Sequence, residues 1–202
     1  MTNEEKFLFD LQGYLVIKNV LTDSELDELN AIVDGAYPYD DEEAQREVSI
    51  LGWGSRLRIS STIPESCPIL VKLMGPTVRL NHDYCIFMRA DERRSGLHDS
   101  YGGDHWYNYR NGVIHNGLSV VTYFLSDAPK GAGGFACVPG SHKSNCSVGD
   151  LPPEVRSFEW NRHYSRATCS GSRRCAVLYG GPYARNNAVA REERKTRPAV
   201  QI

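Results

Sequence analysis

The chain has 202 residues, 41% hydrophobic and 24% charged, enough to enclose one core of ordinary size and pointing to a single domain. No apolar run approaches the roughly 20 residues that a membrane-spanning helix needs, and the opening MTNEEKFLFD has neither a basic n-region nor an apolar h-region. An export signal and a membrane anchor are therefore not expected, and a cytoplasmic location is.

The net charge of −2 hides an uneven distribution. Residues 1–160 carry 14 Lys+Arg against 23 Asp+Glu, whereas residues 161–202 carry 9 against 2. The acidic body argues against generic nucleic-acid or membrane binding, while the basic tail has the composition of an interaction arm. The six cysteines (Cys67, Cys85, Cys137, Cys146, Cys169 and Cys175) show no CxxC or zinc-ribbon spacing, so reduced thiols are expected. Cys85 and Cys137 sit in apolar runs and read as small core residues.

In chain order, residues 6–12 form a short amphipathic stretch that Gly13 stops, and Tyr14-Leu15-Val16-Ile17 reads as a strand. Thr22 and Glu25 have the spacing of a capping box, and Leu26, Leu29 and Val33 recur on one helical face, which predicts a helix over 23–34. Residues 36–47 read as a polar, acidic surface loop, and a further helix is expected over 67–74, ended by Gly75-Pro76. Beyond that, β-type runs appear at 83–89, 118–125 and 134–138. Helices first and strands later predict an α+β, mainly β chain with a sandwich or barrel core.

The segment GLHDSYGGDHW (96–106) packs two histidines and two carboxylates into a Gly-rich loop. Imidazole and carboxylate close together are what a facial non-haem iron site requires, with three positions left open for oxygen and substrate. Histidines and aspartates are also common in polar loops, so the segment alone does not decide the matter. His82 and Asp83 read as a pair at the start of a strand, and His115 and His163 as surface residues.

Downstream lie the strand and turn LSVVTYFLSDAPK and then GAGGFACVPGSHKSN, ending in Pro139-Gly140-Ser141-His142-Lys143. This stretch, together with the opening FLFDLQGYLVIKNVLTDSELDEL, resembles the phytanoyl-CoA dioxygenase-like family over residues 4 to 145. The resemblance implies a double-stranded β-helix, or jelly roll, with N-terminal helices. It also implies binding of Fe(II) and 2-oxoglutarate, and oxidation of a small organic substrate with release of succinate and CO2. His98 occupies the place of the family's first metal ligand. The usual carboxylate two positions on is replaced here by Ser100, leaving Asp99, or alternatively Asp104, as the carboxylate ligand. His105, Trp106 and Tyr107 are candidate substrate-pocket residues, with Tyr109 and Arg110 compatible with a small polar or anionic substrate. His142 resembles the family's turn histidine and is expected to be structural, hydrogen-bonding its own loop.

The family also places a distal His in an H-G-[ST]-x-P-W context, followed eleven positions later by an Arg that forks onto the remote carboxylate of 2-oxoglutarate. Neither is present after residue 145. Residues 161–202 lack strand alternation and have few large apolar residues, so the expected division is a truncated jelly roll over 1–160 with incomplete C-terminal strands and a poorly ordered basic tail over 161–202. The genetic code permits another reading. Taking bases two and three of each codon with base one of the next, residues 174–189 can be read as DALFFTEALTHGTMPW and residues 190–196 as RGKNERR. This one-base shift restores both motifs at the family spacing. A non-catalytic jelly-roll binding protein is the alternative function.

Overall fold

The computed structural model describes residues 1–36, 46–48, 50–55, 67–88, 97, 106–127, 134–156, 166–167, 176–180, 184–187 and 199–201. Helix α1 spans Asn3–Gln12, three residues earlier than the apolar pattern suggests. The cause is a capping box in which the Thr2 hydroxyl accepts from Glu5 N and the Glu5 carboxylate accepts from Thr2 N. Gly13 ends the helix in the left-handed conformation, φ +82°, its N–H returning to the Phe9 carbonyl. Strand β1 (Tyr14–Ile17) follows, and then α2 (Asp23–Ala36). The second capping box forms as the spacing predicts, with Glu25 N donating to Thr22 Oγ1 at 3.2 Å and Thr22 N to Glu25 Oε2 at 2.8 Å.

After β2 (Arg46–Val48) and a turn of 3₁₀ helix at Ile50–Gly52 comes α3 (Cys67–Met74), over the residues expected. Strand β3 (Tyr84–Met88) starts one residue after Asp83, whose carboxylate instead accepts from Leu51 N at 2.9 Å. His82 stacks on the Tyr84 ring. A hairpin, β4 (Tyr107–Arg110) and β5 (Val113–Asn116), then turns through Asn111-Gly112, both at positive φ. That dipeptide favours the left-handed geometry a tight hairpin needs. Strands β6 (Ser119–Tyr123) and β7 (Gly134–Cys137) lie within the predicted runs. Single-turn helices at Ser141–Lys143 and Val148–Asp150 lead to α4 (Pro153–Arg156).

Among the described residues, those of the basic tail enter three of the four sheets. Strands β8 (Arg166–Ala167) and β10 (Ala184–Asn187) flank β7, and β11 (Ala199–Gln201) pairs with β3, which also pairs with β2. Strand β9 (Ala176–Gly180) lies between β1 and β6, antiparallel to both, with Tyr14 opposite Tyr179 and Val120 opposite Tyr179 on the other side.

Among the described residues, the buried side chains form two main clusters. Leu26, Leu29 and Val33 of α2 pack with Ile50, Cys85, Tyr123 and Leu125, and Asn30 Nδ2 donates to the Leu125 carbonyl at 3.1 Å. Phe9 of α1 and Leu15 of β1 pack with Ile69 and Leu73 of α3 and Ile114 of β5. Ile17 and Val121 touch both clusters, joining them through the β1–β9–β6 sheet. Burying each large aliphatic or aromatic side chain contributes roughly 1.5–3 kcal/mol.

Candidate active site

His98, Asp99, Asp104 and His105 lie outside the described residues, but both flanks of their segment are described. On one side Leu97 is buried, packs with Val148 and donates its N–H to the Arg156 carbonyl at 2.8 Å. On the other, the Trp106 carbonyl accepts from Gly117 N at 2.9 Å while its indole stays half exposed. Both described flanks of the 98–105 segment, Leu97 and Trp106, are thus tied to the fold by backbone hydrogen bonds.

Tyr107 is committed to a polar cluster that no sequence spacing indicated. Its hydroxyl donates to Asp10 Oδ1 at 2.5 Å, and Lys143 Nζ stands 3.2 Å from Asp10 Oδ2. His142 meets the Tyr107 ring edge-on with centroids 4.6 Å apart, and Phe9 lies against both rings. The buried His142 ring brings Nε2 within 3.1 Å of the Asp10 carbonyl, so that nitrogen carries the proton and Nδ1 is the bare one. Nδ1 is buried with no hydrogen-bond partner among the described residues.

The electrostatics follow from this packing. Burial, assisted by the Lys143 ammonium, pulls His142 down to about 4, outweighing the pull of Asp10 in the opposite direction. Burial also works to raise the Asp10 carboxyl, but the Tyr107 hydrogen bond and Lys143 together hold it below the usual carboxylate value. Tyr107, buried and donating to that carboxylate, is held well above the ordinary phenol range and stays neutral.

The turn at 139–143 thus works as a remote cap for α1. The last carbonyls of a helix have no partner within it. Here Asp10 O receives His142 Nε2, Gln12 O receives Gly140 N at 2.9 Å, and the Lys143 cation stands where the helix dipole is negative. His142 is structural, as expected, but its ring bonds the end of α1 rather than its own loop. Farther along α1, Lys6 Nζ donates to the Gly112 carbonyl and lies over the Tyr109 ring, so Lys6 and Asp10, one turn apart, grip the tip and base of the β4–β5 hairpin.

Among the described residues no group of three His, Cys, Asp or Glu side chains comes together as a metal site. His82 and His115 are exposed and well separated in the chain, and His142 is spent on the helix cap. Cys85 and Cys137 are buried, as expected, and burial pushes the Cys137 thiol up to about 12. No helix among the described residues is long and apolar enough to cross a membrane.

The chain has a jelly-roll fold, which it shares with several solved structures. Over its whole length the chain superimposes on 85% of HygX from Streptomyces hygroscopicus, solved with nickel and 2-oxoglutarate bound, with a TM-score of 0.82 and 17% identity. SnoK, a non-heme alpha-ketoglutarate-dependent carbocyclase from nogalamycin biosynthesis, matches with a TM-score of 0.69 and 18% identity, the whole chain covering 82% of it. EctD from S. alaskensis, solved with bound Fe, matches at 0.67 and 15%, the whole chain covering 75% of it. No protein-family model matches the chain, and no curated protein is similar to it in sequence.

Proposed function

We propose that this chain derives from an Fe(II)- and 2-oxoglutarate-dependent oxygenase of the phytanoyl-CoA dioxygenase-like kind acting on a small organic molecule. The observation that carries the reading is the coincidence of two independent signals. One is the PGSHK block seated on the end of α1; the other is a likeness in fold to three proteins, of which HygX is solved with 2-oxoglutarate and EctD with iron. HygX has also been solved with hygromycin B, which supports a small-molecule substrate here. His98 and Asp99, or Asp104 in its place, would hold the iron, with His105 and Trp106 toward the substrate, whereas Tyr107, expected beside them, is engaged by Asp10, Phe9 and His142 instead. When bound, such an iron supplies oxygen activation coupled to decarboxylation of 2-oxoglutarate.

The polypeptide as written lacks the distal His and the Arg that clamps the cosubstrate, and its own turnover is impaired on this reading. The one-base shift would put a histidine codon in place of Ala184 and an arginine codon in place of Lys195. Ala184 opens β10, opposite Cys137 of β7, so the shifted histidine would enter at a sheet position rather than in a terminal extension. On this proposal the reading frame changes between residues 161 and 169, and residues 161–202 are not the family's own C-terminal segment. The coding DNA from residue 155 onward tests it: a one-base shift should restore HGTMPW, and its failure to do so ends the idea. A jelly-roll binding protein without catalysis is the second reading, favoured by the missing motifs. An intact frame together with absence of Fe(II) binding by calorimetry would select it.

A further inference from the structure

We propose that β4 is a dimerisation edge, pairing antiparallel with β4 of a second copy of this chain about a twofold axis at Asn108. The inference is independent of the oxygenase reading and begins from the register of the hairpin. The Trp106 carbonyl accepts from Gly117 N opposite it, and the two-residue turn closes on Arg110 and Val113. In an antiparallel pair, opposed residues alternate between those that exchange hydrogen bonds and those that exchange none. Trp106, Asn108 and Arg110 therefore aim their backbone groups at β5, and Tyr107 and Tyr109 aim theirs the other way. Among the described residues those outward N–H and C=O groups meet no backbone partner, and the hairpin is a two-stranded sheet of its own. Such an edge is a template for a further strand. The side chains leave it accessible: Tyr107 and Tyr109 turn toward Asp10 and Lys6 of α1, whereas Trp106, Asn108 and Arg110 lie exposed on the opposite face.

The order of these residues identifies the occupant as a second copy. Pairing centred on Asn108 sets Tyr107 opposite the partner's Tyr109, and Tyr109 opposite the partner's Tyr107. Both members of each pair face outward, so each pair exchanges two backbone hydrogen bonds. Centring on Tyr107 or Tyr109 instead keeps only one such pair within β4, and a shift by one residue sets outward groups against inward ones. On the exposed face Trp106 then lies across from the partner's Arg110, and Arg110 across from the partner's Trp106, so a guanidinium meets an indole in both halves. The two guanidiniums stay about 13 Å apart along the strands at roughly 3.3 Å per residue, beyond the ~8 Å over which physiological salt screens exposed charges. The contact is isologous, the commonest kind in homo-oligomers. One short strand a side buries less than the roughly 1,000 Å² of a stable interface, so the dimer is weak and depends on concentration.

The test is sedimentation of the full chain from micromolar to millimolar concentration, together with cross-linking. The wild type should shift from monomer to dimer across that range. Asn108→Lys sets two ammonium groups directly opposite each other at the axis and should weaken association at least about tenfold, with an unchanged thermal melt because Asn108 is exposed. Opposed residues at the axis have Cα atoms about 4.5 Å apart, within disulfide reach. In a Cys146→Ser background, which removes the exposed native thiol, Asn108→Cys should therefore form an intermolecular disulfide on mild oxidation. Val113→Cys, equally exposed but one strand further from the axis, should cross-link far less, and the Cys146→Ser parent run beside both shows what the remaining native thiols contribute. A chain that stays monomeric throughout overturns the proposal, including the case in which the edge takes a strand from a different protein. So does a dimer that Asn108→Lys leaves intact, or one that Val113→Cys locks as readily as Asn108→Cys.

Discussion

Gly13 and His142 are in such close contact that a β-carbon on Gly13 would stand 2.4 Å from His142 Nδ1 and 2.8 Å from Cγ. Gly13 also has φ +82°, a conformation that costs an L side chain roughly 1–2 kcal/mol. Two demands, one conformational and one steric, fall on the same residue. Gly13→Ala should therefore cost more than the backbone penalty alone, about 2–4 kcal/mol in total, since the imidazole is hemmed in by Phe9 and Tyr107 and has little room to retreat. Urea denaturation of the two proteins would measure this, and a loss below about 1 kcal/mol would show that the ring moves freely.

His142 gives the fold an acid sensitivity of defined sign. Its value is depressed to about 4 in the folded chain against about 6.5 when unfolded, so between these limits the unfolded chain binds the additional proton. The contribution is fully present above about pH 6.5 and is lost as pH falls toward 4, amounting to about 3 kcal/mol in all. His142→Gln keeps a donor toward the Asp10 carbonyl without a titrating ring. The variant should show a flatter decline in stability between pH 6.5 and 4 than the wild type, as followed by thermal melts across that range.

Thiol accessibility separates three cysteines. Cys146 is exposed, whereas Cys85 and Cys137 are buried and Cys137 is far from ionising at neutral pH. Brief alkylation of the native chain followed by peptide mapping should modify Cys146 well ahead of both others, and unfolding in urea should abolish the difference.

Deleting the Phe9 side chain should be among the costlier core changes. Phe9 is fully buried and bridges α1 to β1, α3 and β5, so Phe9→Ala should destabilise the chain by about 3–5 kcal/mol. Denaturant midpoints check this.

Supplied with Fe(II), 2-oxoglutarate and oxygen, the 202-residue chain should form little succinate, because the distal His and the carboxylate-clamping Arg are missing from it. A chain translated in the restored frame should turn 2-oxoglutarate over at least tenfold faster, a ratio that corresponds to about 1.4 kcal/mol of transition-state stabilisation. Equal rates from the two chains would sink the frame proposal.

Local signals carried much of the fold. Thr22 with Glu25, the Leu26–Leu29–Val33 face and Gly13 each act within one or two turns of chain, and each produces the predicted element. The same logic applies at Thr2 with Glu5, and at Asn111-Gly112, which marks the hairpin as plainly as any dipeptide can. The Asp10–Tyr107–Lys143 cluster was of another kind. Its members come from three separate stretches of chain, and each is an ordinary surface residue until the fold brings them together. The assignment of His98, Asp99 and Asp104 rests on the family resemblance, since their segment lies outside the described residues.

The placement of β9 has a consequence for the order of events in the cell. Residue 14 is paired with residue 179, and β1 reaches β6 only by way of that late strand. The N-terminal hydrophobic strand therefore leaves the ribosome long before its partner is synthesised, and contacts of such long range close slowly. Until residues 176–180 have been translated, the edges of β1 and β6 that β9 covers stay open to chaperones or to other nascent chains. A change confined to the codons for 176–180 would thus be felt first as a failure to seat β1.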